Sequence, residues 1–449
     1  MKKTLFLPFI LFSFELSAQE TPTVAPQISN DSLQKSISSI KKDLDVLKNL
    51  KVNGWVQAQY QMIDTAGAKN FDGGDFPTNS NNRFMIRRGR IKFTYNGKNS
   101  LYVFQLNATE RGVNIADIYG KFNDPWTKAF SLTAGVQNRP FGYDIQMSSA
   151  DRESPERSRF TQVFTPNERD MGAMVSFQPQ KGKALYGLKF DIGLFNGTGI
   201  AVPGTTTPTL NAVGTTGMNG FTDFDSYKDL IAHLVYYNTT KNGKIKYGIG
   251  ASHYNGGFAY QTNKVYNSIK TDSLGNKIWQ RADTTKNYLG AYAPRVYTGF
   301  EGLFSINTFL GTTTLRGEYF FGTQTSKSSD SKSPQAAPSA TDAMFIRDFN
   351  AGYAYFIHRI GKSKHEIVFK YEWLDPNTKI SPSDLNGKNG MNQGELKYTM
   401  MGFGYNLYLY ENVKFMFHYN MVKNEVAQIK GYTYDLKDNV LTIRMQYRF

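Results

Sequence analysis

Residues 51–63 read KVNGWVQAQYQMI and alternate between apolar and polar or small side chains. Successive side chains of a β-strand point to opposite faces, so this alternation predicts a strand whose two faces meet different surroundings. One face carries Val52, Val56, Ala58, Tyr60 and Met62, and the other carries Gln57, Gln59 and Gln61. Residues 438–449 (DNVLTIRMQYRF) repeat the pattern, with Leu441, Ile443, Met445, Tyr447 and Phe449 opposite Thr442, Arg444, Gln446 and Arg448. Charged and amide side chains opposite an apolar face indicate water on one side of the strand and lipid on the other.

Working outward from these two stretches, the same alternation occurs in sixteen segments of the chain. They lie at 51–63, 83–96, 99–109, 112–123, 129–138, 170–178, 184–196, 227–239, 243–255, 294–306, 312–324, 345–358, 364–375, 396–409, 412–424 and 437–449. The connections between them alternate between long and short, and only the short connection at 110–111 breaks this rule. An even number of such strands closes a barrel without edges. The sequence therefore predicts an all-β fold, a 16-stranded antiparallel transmembrane β-barrel, spanning residues 51–449.

The composition excludes several other classes of protein. The 449 residues contain no Cys, so disulfides and thiolate metal sites are excluded, and an aromatic content of 14% is too high for a disordered chain. Past residue 19, no apolar run approaches the roughly 18–20 residues that a membrane-spanning helix requires. The net charge of +15 makes nucleic acid, lipid A phosphates and small anions candidate partners.

The N-terminal residues carry the features of a targeting segment. Residues 1–18 combine Lys2 and Lys3, an apolar core and a small residue, Ala18, which predicts a secretory signal peptide rather than a single membrane anchor. Export excludes nucleic acid as the anionic partner. We expect residues 19–50 to form a periplasmic spacer and a short coiled-coil helix before the barrel.

This helix is predicted from a heptad pattern. Leu33, Ile37, Ile40, Leu44 and Leu47 follow the spacing 4, 3, 4, 3 of coiled-coil core positions. The seam is too short to associate alone, but it permits a homotrimer held together mainly by the barrels. The alternative is an amphipathic helix that packs on its own chain.

The candidate pore-lining residues are basic. On the second strand, alternation places Arg88, Arg90 and Lys92 toward the lumen and Met85, Gly89 and Ile91 toward lipid. Three cations at a period of two form a ladder about 13–14 Å long, which favours the entry of anions into a narrow pore. The alternative is a basic wall opposite an acidic loop, which creates a transverse field without net selectivity.

The connection at 139–169 is a second candidate for the selectivity filter. It contains Arg139, Arg152, Arg157, Arg159 and Arg169 together with five acidic residues. The equal numbers predict ion pairs within the segment, which would fix its shape, as the alternative to a filter. Further basic residues predicted to face the lumen are Lys121, Lys189, Lys246, Arg316, Lys370, Lys414, Arg444 and Arg448.

Several stretches resemble the phosphate-selective porin O and P family. They are RFMIRRGRIKF (83–93), GVQNRPFG (135–142), ESPERS and NERDMG (within 153–172), FNGTG (195–199), YKDLIAHL (227–234), LRGEYFFG (315–322), KYEWLDPNTK (370–379) and the C-terminal strands. The resemblance implies a trimeric outer-membrane channel, either general or anion-preferring, without establishing specificity for phosphate. The C-terminal aromatic residue Phe449 also resembles the signal by which the barrel-assembly machinery recognises its substrates.

These observations predict an outer-membrane porin through which small hydrophilic solutes diffuse passively, with a preference for anions such as phosphate. The alternative is a non-conducting surface barrel that acts as an adhesin or scaffold. The five histidines are scattered over different strands and turns, with no HExxH or other tight ligand spacing, so the sequence predicts neither an enzyme nor a bound metal or cofactor. The expected partners are outer-membrane lipids, two further copies of the chain and small anionic solutes.

Overall fold

A computed structural model of the chain describes residues 30–166, 168–197, 223, 225–333, 341–388 and 390–449. The predicted signal peptide lies outside the described residues. Two compact units divide at residue 48. The first contains all but the last residue of the helix α1, Asn30–Asn49, whose predicted seam residues are between 46% and 60% exposed.

The second unit is built almost entirely from β-strands. Their bounds are β1 Leu50–Ile63, β2 Asn82–Asn96, β3 Ser100–Thr109, β4 Gly112–Asn123, β5 Phe130–Asn138, β6 Arg169–Phe177, β7 Leu188–Phe195, β8 Asp229–Thr239, β9 Ile245–Ala259, β10 Val265–Thr271, β11 Lys277–Arg281, β12 Tyr292–Thr308, β13 Gly311–Lys327, β14 Met344–Ile360, β15 His365–Asp375, β16 Tyr398–Tyr410, β17 Val413–Asn424 and β18 Val440–Arg448. Two short helices, α2 (Tyr143–Gln146) and α3 (Arg159–Phe164), lie between β5 and β6. Within the described residues, no helix has both the length and the apolar character needed to cross a membrane.

The barrel closes because β1 pairs with both its sequence neighbour and the last strand. Trp55 lies opposite Arg90 of β2 and opposite Arg448 of β18, and all wall pairings are antiparallel. Of the eighteen strands, β10 and β11 form a hairpin outside the wall, because β9 pairs directly with β12. The other sixteen are the predicted strands, so the predicted barrel is confirmed. The hairpin was not predicted and lies in the segment interpreted as a long loop.

Side chains alternate across the wall as the sequence indicates. In β1 and β18, Gln57, Gln61, Thr442 and Gln446 are buried inside the barrel, whereas Val56, Met62, Met445 and Tyr447 are exposed on its outer face. The outer face is apolar and the inner face is polar in these strands, which is the arrangement that a lipid bilayer requires.

The predicted register of β2 is wrong over its first half. A bulge shifts the pairing, because Gln57 lies opposite Arg88 while the next residue, Ala58, lies opposite Ile86. Because Arg87 is an extra residue, the side chains that precede it in β2 point to the opposite face from the one predicted by simple alternation. Met85 therefore faces the lumen, where its sulfur accepts a hydrogen bond from Gln59 Nε2 at 3.3 Å, and not the lipid. Arg88, Arg90 and Lys92 follow the bulge and face the lumen as predicted.

Candidate ion pathway through the barrel

The segment between β5 and β6, which we call the luminal loop (residues 139–168), folds into the barrel. On one side, its backbone carbonyl groups accept hydrogen bonds from side chains of the wall. Five wall side chains donate to five loop carbonyl oxygens, with donor–acceptor distances of 2.6–3.0 Å. The pairs, donor first, are Gln57 and Ser149, Gln446 and Ala150, Lys414 and Arg152, Asn406 and Glu153, and Arg444 and Pro155. Wall side chains thus supply the partners that an irregular backbone inside a barrel would otherwise lack.

An aromatic core holds the opposite side of the luminal loop. The rings of Phe164 and Phe349 lie 3.9 Å apart and those of Phe160 and Phe320 lie 4.8 Å apart, measured between centroids. These side chains are at least 95% buried, and burial of each such ring contributes about 1.5–3 kcal/mol. Part of the lumen is therefore filled by an apolar core, whereas the sequence pattern predicted a lumen lined by polar side chains.

One carboxylate of the luminal loop binds three arginines of the wall. Glu156 lies 2.8 Å from Arg87, 3.0 Å from Arg88 and 2.6 Å from Arg444. Burial alone raises the pKa of Glu156, but the charges of these arginines outweigh it and hold the pKa well below its usual range. Glu153 and Asp151 bind the wall residues Arg316 (2.7 Å) and Arg448 (2.6 Å) in the same way. The prediction that the acidic residues pair within the segment is therefore wrong for these three, which pair with the wall.

Arg157 does pair within the luminal loop. Its guanidinium binds Glu168 and donates hydrogen bonds to the carbonyl oxygens of Asp144 (2.6 Å), Ile145 (3.0 Å) and Met147 (2.8 Å). Burial raises the pKa of Glu168. The positive charges of Arg157, Arg169 and Arg152 outweigh this effect and lower the pKa to about 2. These contacts fix the position of the Arg157 guanidinium within the loop.

Two cavities lie on either side of Arg157, which lines both of them. We call the end of the barrel with the short turns the turn side and the opposite end the loop side. The turn-side cavity has a volume of about 670 Å³ and the loop-side cavity about 700 Å³.

The two cavities differ in charge. Within the described part of the chain, eight basic residues and one acidic residue, Asp117, line the turn-side cavity. The basic residues are Arg90, Lys92, Lys121, Lys128, Arg157, Arg169, Lys189 and Arg448. Five basic and six acidic residues line the loop-side cavity. The positive potential therefore concentrates at the turn side.

The structure divides the ten predicted pathway residues into three groups. Six form ion pairs, which are Arg88–Glu156, Arg139–Asp170, Arg157–Glu168, Lys189–Asp191, Arg316–Glu153 and Lys370–Glu372. Arg159 lies in the loop-side cavity, with its guanidinium over the rings of Tyr398 and Phe71 at 3.3 and 4.2 Å. In the described part of the chain, Arg90, Lys92 and Lys121 form neither an ion pair nor a side-chain hydrogen bond, and all three line the turn-side cavity.

Three buried hydrogen-bond donors on residues that line the turn-side cavity lack an acceptor within the described residues. These donor atoms are Trp55 Nε1, Arg90 Nε and Gln105 Nε2. The guanidinium of Arg90 stacks over the Trp55 ring at 5.6 Å, and Lys92 lies opposite Gln105. Trp55 and Gln105 were missed because neither residue type indicates an ion pathway. Trp55 lies two residues before Gln57, and this spacing could have placed it on the same face of β1.

Comparisons with solved structures identify the class of fold to which the barrel is similar. The chain is similar to an anion-selective porin from Comamonas acidovorans, with 9% identity, 89% of this chain and 99% of that chain covered, and a TM-score of 0.50. It is also similar to the outer-membrane channel DcaP of Acinetobacter baumannii (12% identity, 89% and 97% covered, TM-score 0.49) and to OprB of Pseudomonas putida (11%, 92% and 97%, 0.49). The likeness to the Comamonas acidovorans porin shows the fold of a porin-type barrel. No family model and no curated protein matches the chain, so membership of the phosphate-selective porin O and P family stays a prediction.

Proposed function

We propose that this protein is an outer-membrane porin through which small hydrophilic solutes diffuse passively, with a preference for anions such as phosphate. The observation that carries the proposal is the turn-side cavity, where eight basic residues face one acidic residue. Four of the eight, Arg90, Lys92, Lys121 and Lys128, have no acidic partner among the described residues, so their charge acts on solutes in the cavity. A pore lined by unpaired cations lowers the free energy of anions and raises that of cations.

The location of the protein follows from the barrel itself. Apolar side chains cover its outer face, which fits outer-membrane lipids as partners. Short turns of outer-membrane barrels face the periplasm, so we place the turn-side cavity at the periplasmic mouth and α1 in the periplasm. Exposure of Leu33, Ile37, Ile40, Leu44 and Leu47 supports a homotrimer in which three copies of α1 associate.

The preference for anions is tested with purified protein in planar bilayers. The triple variant R90Q/K92Q/K121Q removes three unpaired charges from the turn-side cavity. In a KCl gradient we expect its reversal potential to move toward cation preference, most strongly near 0.01 M salt, where the Debye length is about 30 Å. The control variant K241Q/K244Q/K362Q removes the same charge from exposed lysines in the short turns, outside the cavity lining, and should shift the reversal potential less.

An unchanged reversal potential in R90Q/K92Q/K121Q would contradict the proposed selectivity. A wild-type protein that inserts but gives no single-channel steps would contradict the porin itself and favour the adhesin or scaffold. Replacing chloride by phosphate then tests whether phosphate is preferred among anions.

A further inference from the structure

A third cavity opens beside the turn-side cavity, and it is apolar. We call it the side pocket; its volume is about 410 Å³. Tyr143, Tyr186 and Tyr237 line it together with Leu188 and Val235. The rings of Tyr143 and Tyr237 lie edge to face, with centroids 6.4 Å apart. A pocket of this size and lining accommodates the body of a small organic molecule.

The side pocket is continuous with the cationic cavity. Gln146, Met147, Gln178 and Lys189 line both. The Lys189 side chain is 33% exposed and its ammonium lies 2.7 Å from Asp191. The side pocket and the turn-side cavity therefore meet at Lys189.

A histidine and a carboxylate, His233 and Glu301, also line the side pocket. His233 is 5% exposed, and its Nε2 lies 3.1 Å from the Glu301 carboxylate. Its second nitrogen, Nδ1, is buried and has no hydrogen-bond partner among the described residues. Passive diffusion of inorganic anions does not require an apolar pocket, so the largely apolar lining of the side pocket suits an organic solute.

We propose that the side pocket binds the apolar body of a small carboxylate, such as an aromatic or branched alkyl acid, while its charged group lies beside Lys189. The proposal rests on the proposed porin function and deepens it, because it names organic anions as solutes. Binding of the apolar body against tyrosine rings distinguishes these solutes from chloride and from acetate, which carry the same charge.

The test uses two probes of equal charge, benzoate and acetate. Isothermal titration of the detergent-solubilised protein should show saturable binding of benzoate and none of acetate. In bilayers, benzoate should block the chloride current at lower concentrations than acetate does. The variant Y186A removes one wall of the side pocket at a residue that is 45% exposed, so folding should tolerate it. We expect a roughly fivefold increase in the half-blocking concentration of benzoate, the size of one lost aromatic contact.

Two more variants make the result specific. Leu185 precedes Tyr186, is 63% exposed and does not line the side pocket, so L185A should bind benzoate as the wild type does. The variant K189Q/D191N removes the ammonium together with its carboxylate partner and leaves no buried charge alone. It should weaken benzoate binding in the titration.

Failure of this inference can be distinguished from failure of the porin. If the channel conducts and prefers anions but treats benzoate as it treats acetate, the side pocket proposal is wrong and the porin stands. If the protein does not conduct, the titration alone decides, and absence of benzoate binding overturns the proposal. Equal benzoate binding by Y186A and the wild type would also overturn it.

Discussion

Nε of Arg169 lies 2.6 Å from Oδ1 of Asp117, the one acidic residue that lines the turn-side cavity. Arg169 also lies 3.3 Å from Glu168. Arg169 therefore offsets much of the negative charge of Asp117. The unpaired cations Arg90, Lys92, Lys121 and Lys128 supply the positive potential of the remaining cavity.

The first prediction concerns Asp117. D117N removes the single acidic charge from the lining, so the cavity potential becomes more positive and the anion preference should increase. The measurement is the reversal potential in a KCl gradient at low ionic strength. D272N, in the exposed turn between β10 and β11, removes the same charge far from the cavity and should have no effect. A shift of equal size in both variants would show that net charge, not position, sets the preference.

The second prediction concerns the ion pairs that hold the luminal loop against the barrel wall. E156Q removes a carboxylate from Arg87, Arg88 and Arg444, and leaves buried guanidinium groups without their counter-charge. Breaking a buried ion pair costs about 3–5 kcal/mol, so the thermal unfolding temperature in detergent should fall. E153Q affects a single partner, Arg316, and should destabilise less. Equal thermal stability of E156Q and the wild type would show that the ion pairs of Glu156 do not hold the luminal loop in place.

These two sites show what the sequence could and could not reveal. Period-two alternation identified all sixteen wall strands, because one face must meet lipid along the whole strand. The alternation could not reveal the bulge at Arg87, since an inserted residue changes no residue type. Nor could it reveal the partners of Glu156, because Arg88 is 68 and Arg444 is 288 residues away in the chain. The predicted ladder Arg88, Arg90 and Lys92 is consequently correct in direction, but Arg88 belongs to the ion-pair network and only the other two are unpaired.

The third prediction concerns the C-terminus. Phe449 exchanges two backbone hydrogen bonds with Gly54, both 3.0 Å long, and so completes the pairing of β18 with β1. Deletion of Phe449 removes these bonds and the aromatic ring, so the amount of folded barrel in the outer membrane should fall while export continues.

The variant F449A keeps the backbone bonds and removes only the ring. If the barrel-assembly machinery recognises the aromatic side chain, F449A should be depleted from the outer membrane as strongly as the deletion. Normal insertion of F449A together with poor insertion of the deletion would assign the role to barrel closure instead. Both are measured by outer-membrane fractionation and the heat-dependent gel shift of folded barrels.

The fourth prediction is that the anion preference increases as the pH falls from 7.5 to 5. Burial raises the pKa of Asp72 to about 6, although the hydrogen bond from Asn420 opposes the shift. Burial likewise raises the pKa of Asp438 to about 6, against the charge of Arg159. Both carboxylates line the loop-side cavity, so each is ionised at pH 7.5 and neutral at pH 5.

Protonation of both carboxylates changes the loop-side lining from five basic and six acidic charges to five and four. Glu168, with a pKa of about 2, stays ionised over this range. The reversal potential should therefore move toward anion preference with a midpoint near pH 6. The double variant D72N/D438N should show the acidic value already at pH 7.5, and its asparagine at position 72 can still accept the 2.7 Å hydrogen bond from Asn420. If D72N/D438N retained the pH dependence of the wild type, other groups would have to carry the titration.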